Sequence, residues 1–494
     1  MDRAPRTSSA LLGLRAAVPW RVALVVVVVA LIARLSLVLF AAPYSTPDTA
    51  VYETVANNIY KHFCVSRSDP ATAACRPDWG GNQLPGYPTL IALSWWIGGP
   101  SAWSILVLQS ALASLAVGWL TIAVFVYTRR VDFACAAGLL LAISPLQVGF
   151  SRTLLTEPTA IAATEWVFAE LILSLAMRRL RLWPLGAALA AAIFIRYDAI
   201  LLCLIAAWTA FHLHPMGAAL RRGAALASIV AAPLALWTLR CVVAGLPYFP
   251  STPVAGVTWP TPNHMLQWGM SWAVTSEQQF NFAFPILDGD YSDIRVPASI
   301  YVNDGERREV EQQLRTLSRL DGHPVPREID DVFASLMAQR RGSHPVETFL
   351  VYPLKRAVAM WGDAYSSYGW PINFHPAEAF AIVHAVDRGG VDALIRAVLQ
   401  YPFQAAGKVA VNGYKFMVFG IFAIAIIWRR SAALAEISEI TLVAAAYALV
   451  RTAFFASGVV AYSEIRYLAE ALPGLELVCA LTIMFWIKAR RTTA

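Results

Sequence analysis

Two carboxylates in this chain stand where they could act on a reacting hydroxyl. Asp48 lies in PDTAVYETVANNIYKHF, where Asp48, Tyr52, Val55, Ala56 and Ile59 recur at helical spacing, and it falls near the start of that helix. Glu157 precedes Pro158 in SRTLLTEPTA, at the head of a long apolar run. Either acid could take a proton as general base or orient a group that does. Each also has an ordinary explanation, because carboxylates cap helix N-termini and favour the dipole, and Pro suits a first turn. Near them stand Arg152, Arg196, Lys355, Arg356 and Arg466. Arginine holds phosphate through two parallel bonds. The competing expectation for any one of them is a pair with a local Asp or Glu.

What positions these residues is set by lipid. The chain is 58% hydrophobic and only 14% charged, against roughly a quarter charged in soluble domains, so it cannot cover its surface with polar groups. Its net charge of +7 comes mostly from short Arg and Lys clusters between apolar runs of span length. That pattern is a topology signal and not a nucleic-acid groove. The run 22–42 is too long for the apolar core of a signal peptide and reads as a first span that stays attached.

A span needs roughly 20 mainly apolar residues. Runs that qualify are 22–42, 104–126, 132–150, 154–177, 223–244, 406–428, 435–457 and 466–487. The stretch from Trp183 to Leu213, interrupted by Arg196, Tyr197 and Asp198, reads as two short helices meeting near an interface. The expected fold is therefore an all-α polytopic membrane protein of about ten transmembrane helices. Alternate loops carry Arg129 and Arg130, then Arg178, Arg179 and Arg181, then Arg221 and Arg222, then Arg429 and Arg430, then Lys488, Arg490 and Arg491. Cytoplasmic loops are enriched in such residues, which puts both termini inside.

This threading brings Asp48, Arg152, Glu157, Arg196, Asp198, Glu464 and Arg466 to the outer ends of helices, as if lining one cavity. It divides the chain into an N-terminal transmembrane module (1–244) with a first outer loop (43–102), an extracytoplasmic segment (245–404), and C-terminal transmembrane helices (405–494). The outer segment holds candidate amphipathic helices near 304–320, 328–341 and 345–361, and Trp259, Trp268, Trp272, Trp361 and Trp370, which suit a layer hugging the interface. Arg34, Glu165 and Glu170 lie within spans and should face the bundle.

Cys135, Cys203, Cys241 and Cys479 lie in apolar runs and behave as small hydrophobes. Cys64 and Cys75 share the first outer loop, where a disulfide can persist; two unpaired thiols are the alternative. There is no HExxH, CxxC or Walker loop, and the eight His residues show no metal-ligand spacing. No cofactor is expected, and no pattern indicates a divalent metal.

The order of spans, the PDTAVYETVANNIYKHF loop, the following LPGYPTLIAL, SPLQVGFSRTLLTEPTA, HPVETFLVYPLKRAVAMWGD and the closing YSEIRYLAEALPGL together resemble the GT-C superfamily of membrane glycosyltransferases. The resemblance is to its dolichyl-phosphate-mannose protein mannosyltransferase-like and aminoarabinose transferase-like branch, over about residues 20–487. It implies transfer of a sugar from a polyprenyl-phosphate donor to a lipid, glycan or protein acceptor on the extracytoplasmic face, with inversion. Asp48 matches the first-loop general base and Glu157 the second acid. Arg466 is the first choice for stabilising the leaving phosphate, ahead of Arg356 and Arg152. Tyr52, Arg196 and Glu464 complete the expected substrate-binding set. Many relatives carry a second acid directly beside the first-loop Asp; here Thr49 follows Asp48, which weakens any inference of a metal. The implied location is a cell membrane, with a bacterial inner membrane suiting the short loops.

A flippase or transporter of a lipid-linked glycan is the reading from another class. It calls for charges deep between spans, whereas the readable charges gather at outer ends. Ligation of a whole lipid-linked oligosaccharide differs only in donor size.

Overall fold

The computed structural model describes residues 17–68, 84–246, 263–320, 325–362, 369–371, 389–431, 434–458 and 465–493. Among them every regular element is helical, apart from one isolated bridge between Tyr44 and Thr153. The helices in chain order are α1 (Ala17–Phe40), α2 (Pro47–His62), α3 (Gly86–Gly98), α4 (Ala102–Thr128), α5 (Val131–Ile143), α6 (Pro145–Val148), α7 (Glu157–Met177), α8 (Leu182–Ile195), α9 (Leu201–Leu213) and α10 (Met216–Val243). After them come α11 (Asn263–Met270), α12 (Ser276–Asp288), α13 (Asp304–Leu317), α14 (Arg327–Ser343), α15 (Tyr352–Gly362), α16 (described over 389–400), α17 (Pro402–Trp428), α18 (Ser438–Ala456) and α19 (Leu472–Thr493).

Eight of the described helices are long and apolar enough to cross a membrane, and they fall on the eight long runs read from the sequence. The shorter Leu182–Ile195 and Tyr197–Leu213 occupy the interrupted stretch and meet at Arg196. The chain is a multi-pass membrane protein of all-α class. Valine is a modest helix former, yet five consecutive valines sit inside α1. In hydrocarbon the backbone must satisfy its own hydrogen bonds, and that demand overrides propensity.

The spans share one apolar core, contributed by α1, α4, α5, α7, α8, α9, α10, α17, α18 and α19. At one end of the bundle α1 and α8 finish while α2, α7 and α9 begin. At the other end Glu439, in the first turn of α18, accepts from Arg178 at 2.6 Å and Tyr127 at 3.0 Å, with His212 Nε2 at 2.9 Å. One carboxylate thereby ties the last turns of α4, α7 and α9 to the start of α18.

Polar groups within the spans face inward. Arg34 donates to the carbonyl of Ala142 at 3.2 Å and to Gln147 at 3.2 Å. Gln147 donates in turn to Glu476 at 2.6 Å, and Tyr414 reaches the same carboxylate at 3.1 Å. Glu170 accepts from Trp119 at 2.9 Å and pairs with Arg181 at 3.1 Å. Glu165 is fully buried in the same region, beside Gln147, Arg34 and Glu476.

The segment from α11 to α14 gathers a core of its own around Trp268, Trp272, Phe282, Val310 and Phe333. Trp268 and Trp272 are buried in it and not laid along an interface, a departure from the sequence expectation. Their i,i+4 spacing marks one apolar face, and such a face looks the same whether lipid or protein covers it. Glu306 and Arg340 form a fork inside this core, with Nε–Oε1 at 2.5 Å and Nη2–Oε2 at 3.1 Å. Trp268 Nε1 and the Val302 amide also donate to Glu306. Burial opposes its ionisation, but the Arg340 bonds and these donors outweigh it and hold the carboxyl below the usual range.

Candidate active site

The site lies where α1 ends and α7 begins, and the chain there is fastened by backbone bonds. Tyr44 donates to the carbonyl of Arg152 and accepts from Leu154, both at 3.0 Å. Gln109 in α4 donates to the carbonyls of Ser151 and Thr153, each at 2.9 Å. Thr49 in the first turn of α2 accepts from the Thr46 amide at 2.9 Å and donates to the carbonyl of Leu154 at 3.0 Å. Pro47 at the first helical position supplies the pre-set φ. These bonds place the start of α2, and so Asp48, against the start of α7, and so Glu157.

Arg196, at the junction of α8 and α9, arrives from a third side. Its approach depends on Gly86 at the start of α3, because a Cβ there would lie 2.3 Å from the carbonyl oxygen of Phe194. The fourth contribution is the 3-10 segment Ile465–Ala471 leading into α19, which carries Arg466, Tyr467 and Glu470.

These side chains form one connected ion network. Arg466 Nη2 lies 3.1 Å from Asp48 Oδ2, and its Nε lies 3.7 Å from Glu157 Oε1. Arg196 contacts Glu157 at 2.8 Å, Asp198 at 3.2 Å and Glu470 at 3.0 Å. Arg451, from within α18, contacts Asp198 at 2.7 Å and also pairs closely with Glu470. Tyr467 places its ring 5.3 Å from the Arg196 guanidinium and 5.4 Å from that of Arg466.

Exposure separates the members. The Asp48 side chain is 45% exposed, whereas Glu157 is 1% exposed and Arg451 is 0% exposed. Asp48 is therefore the carboxylate in the network that a substrate can reach from solvent. Among the described residues of the network, four carboxylates face three guanidinium groups. Arg196 and Arg451 direct their nitrogens to buried partners. Among the described residues, Arg466 is paired at 3.1 Å with the half-exposed Asp48, so an incoming anion can compete for it.

Tyr52, one turn along α2 from Asp48, stacks edge-on against Tyr87 at 5.2 Å. Desolvation first, and the charges of Asp48 and Glu157 second, hold its phenol well above the ordinary range despite Arg196 and Arg466. It stays a neutral hydrogen-bonding group beside the carboxylates.

Of the residues singled out from sequence, Asp48, Tyr52, Glu157, Arg196 and Arg466 come together. Arg152 borders them, donating to the carbonyls of Gly369 and Ala42, the latter at 2.7 Å. Arg356 is buried elsewhere and donates to the carbonyls of Ala273, Met270 and Ala456. Glu464 lies outside the described residues. Cys64 is disulfide-bonded, and Cys75 lies outside the described residues. Arg451 and Glu470 were not singled out; the available signals were the expense of an Arg inside a span and the i,i+4 spacing of Arg466 and Glu470. Among the described residues no group of three or more His, Cys, Asp or Glu is placed to hold a metal ion.

No protein-family model matches the chain, and no curated protein matches it. Two solved structures of ArnT from Cupriavidus metallidurans show a weak likeness. The apo structure is 15% identical, with 94% of this chain and 78% of that chain covered and a TM-score of 0.37. The structure bound to undecaprenyl phosphate is 14% identical, with 95% and 77% covered and a TM-score of 0.35.

Proposed function

We propose that this chain is a glycosyltransferase that moves a sugar from a polyprenyl-phosphate donor to a hydroxyl acceptor on the extracytoplasmic face, with inversion. The observation that carries the reading is the pairing of solvent-reachable Asp48 with Arg466 at helix ends that the basic loops assign to the outside. The sequence resemblance supports the same roles. Asp48 accepts the proton of the attacking hydroxyl as the new glycosidic bond forms at the anomeric carbon. The bond to the phosphate oxygen breaks on the opposite side, and Arg466 takes up the charge left on the departing lipid phosphate. Glu157 orients Arg466 and Tyr52 lines the approach. The acceptor is a lipid, glycan or protein, and the membrane is of the bacterial inner-membrane kind.

The test is release of polyprenyl phosphate by the purified protein in nanodiscs, from a panel of radiolabelled polyprenyl-phosphate sugars with a membrane and lysate extract as acceptor. Release by wild type, lost in folded Asp48→Asn, is expected. Full activity in Asp48→Asn refutes the base assignment. One observation favours a second reading, carriage of a lipid-linked glycan: Glu165 lies deep in the bundle, beside Gln147 and within electrostatic reach of Arg34 and Glu476. Intact protein that releases nothing from any donor shifts the weight to that reading.

A further inference from the structure

We infer that Arg451, with the carboxylates of Asp198 and Glu470, is a positioning element that sets where Arg466 points. The inference rests on the function proposed above and concerns residues that do not touch the substrate.

A guanidinium inside a membrane span is expensive unless its donors are matched. Those of Arg451 are matched on three elements. Nη1 donates to Tyr447 OH at 3.2 Å, one turn earlier in α18. Nη2 bonds Asp198, at the entrance to α9, at 2.7 Å. The remaining contacts go to the segment carrying Arg466: Nε donates to the carbonyl of Tyr467 at 2.5 Å, and Nη2 bonds Glu470. Arg451 therefore grips the residue next to Arg466 by its backbone and the residue four further on by its side chain. A 3-10 segment has poorer internal hydrogen bonds than an α-helix and fixes its own rotation less well. The Arg196 guanidinium lies 3.0 Å from the other oxygen of Glu470, an ion pair, and stands over the Tyr467 ring, so the segment is held from two sides. Rotation of the segment would carry Arg466 away from Asp48 and Glu157 together.

A purely structural ion cluster predicts something different, because neutral replacement of a buried pair as a unit is often tolerated in stability. Three variants of the full-length protein in nanodiscs separate the cases: Arg451→Lys, Glu470→Gln, and the double variant Asp198→Asn with Arg451→Gln. The readouts are thermal stability, Kd for polyprenyl phosphate alone, and KM and kcat with the donor that wild type uses. The double variant should keep wild-type stability within a few degrees yet bind polyprenyl phosphate roughly tenfold to a hundredfold more weakly, with kcat/KM falling by a similar factor. Arg451→Lys, which keeps the charge and loses the fork, should lie between the double variant and wild type. Folded variants with wild-type Kd and kcat overturn the inference while leaving the proposed function standing. A wild-type protein that neither binds polyprenyl phosphate nor turns over its sugars overturns both.

Discussion

Arg466 reaches Asp48 with 3.1 Å between Nη2 and Oδ2, although 418 positions separate them in the chain. The pair joins the segment before α19 to the start of α2. Under the proposed mechanism, the guanidinium faces a carboxylate in the place where a donor phosphate would bring its own oxygens. On that proposal, donor binding exchanges one anionic partner for another and leaves Asp48 free to accept a proton, so the donor should bind before the acceptor reacts.

The first expectation concerns that exchange. Arg466→Ala should lower kcat by about 10²- to 10³-fold, the range for losing one preorganised donor at a developing charge. Arg466→Lys should recover part of it, since Lys supplies charge without the fork. Steady-state transfer with varied donor measures both, and equal activity of all three proteins would remove Arg466 from the mechanism.

Glu157 contacts Arg196 and Arg466 but is almost fully buried. Glu157→Gln should keep the shape and weaken both ties, giving up to about 10²-fold lower kcat through misplacement of Arg466. If Asp48 is the base, as proposed, the pH dependence of the residual rate should keep the wild-type form. A changed pH profile would instead make Glu157 the proton acceptor.

The α11–α14 core offers a test away from the chemistry. Arg340→Ala leaves Glu306 buried without its fork and should destabilise this region by about 3–5 kcal/mol, seen as earlier proteolysis of residues 263–343. The sign with pH follows from the depressed carboxyl. Glu306 contributes stability that is present above its unfolded value, about 4.3, and that contribution is lost as pH falls through the lower folded value. Glu306→Gln should abolish that acid dependence.

Gly86→Ala places a methyl group 2.3 Å from the Phe194 carbonyl oxygen, a backbone atom that cannot swing aside. We expect a loss of about 1–3 kcal/mol, read as a lowered melting temperature. Activity should drop as well, since α8 delivers Arg196 two residues later. Unchanged stability would mean that α3 and α8 separate at little cost.

How far the sequence could be read depends on the kind of signal. The spans were legible because length and apolarity are local, and Arg196 was legible as a break because charge interrupts an apolar run. Asp48, Glu157 and Arg466 could be assigned to one end of the bundle from loop charge alone. Arg451 and Glu470 could not, because a charged residue in a span declares that it has a partner without saying which. Trp268 and Trp272 misled for a related reason: an apolar helical face does not state what covers it.

Arg356 has a practical meaning for anyone trimming the protein. Its guanidinium is shared among the carbonyls of Met270, Ala273 and Ala456, the last just beyond Arg451 at the end of α18. Cutting out residues 263–343 would strip two acceptors from a buried cation away from the site, leaving an unmatched charge at the end of α18. The helical segment is thus a keystone of the transmembrane part and not an appendage, and a minimal version of this protein has to keep it.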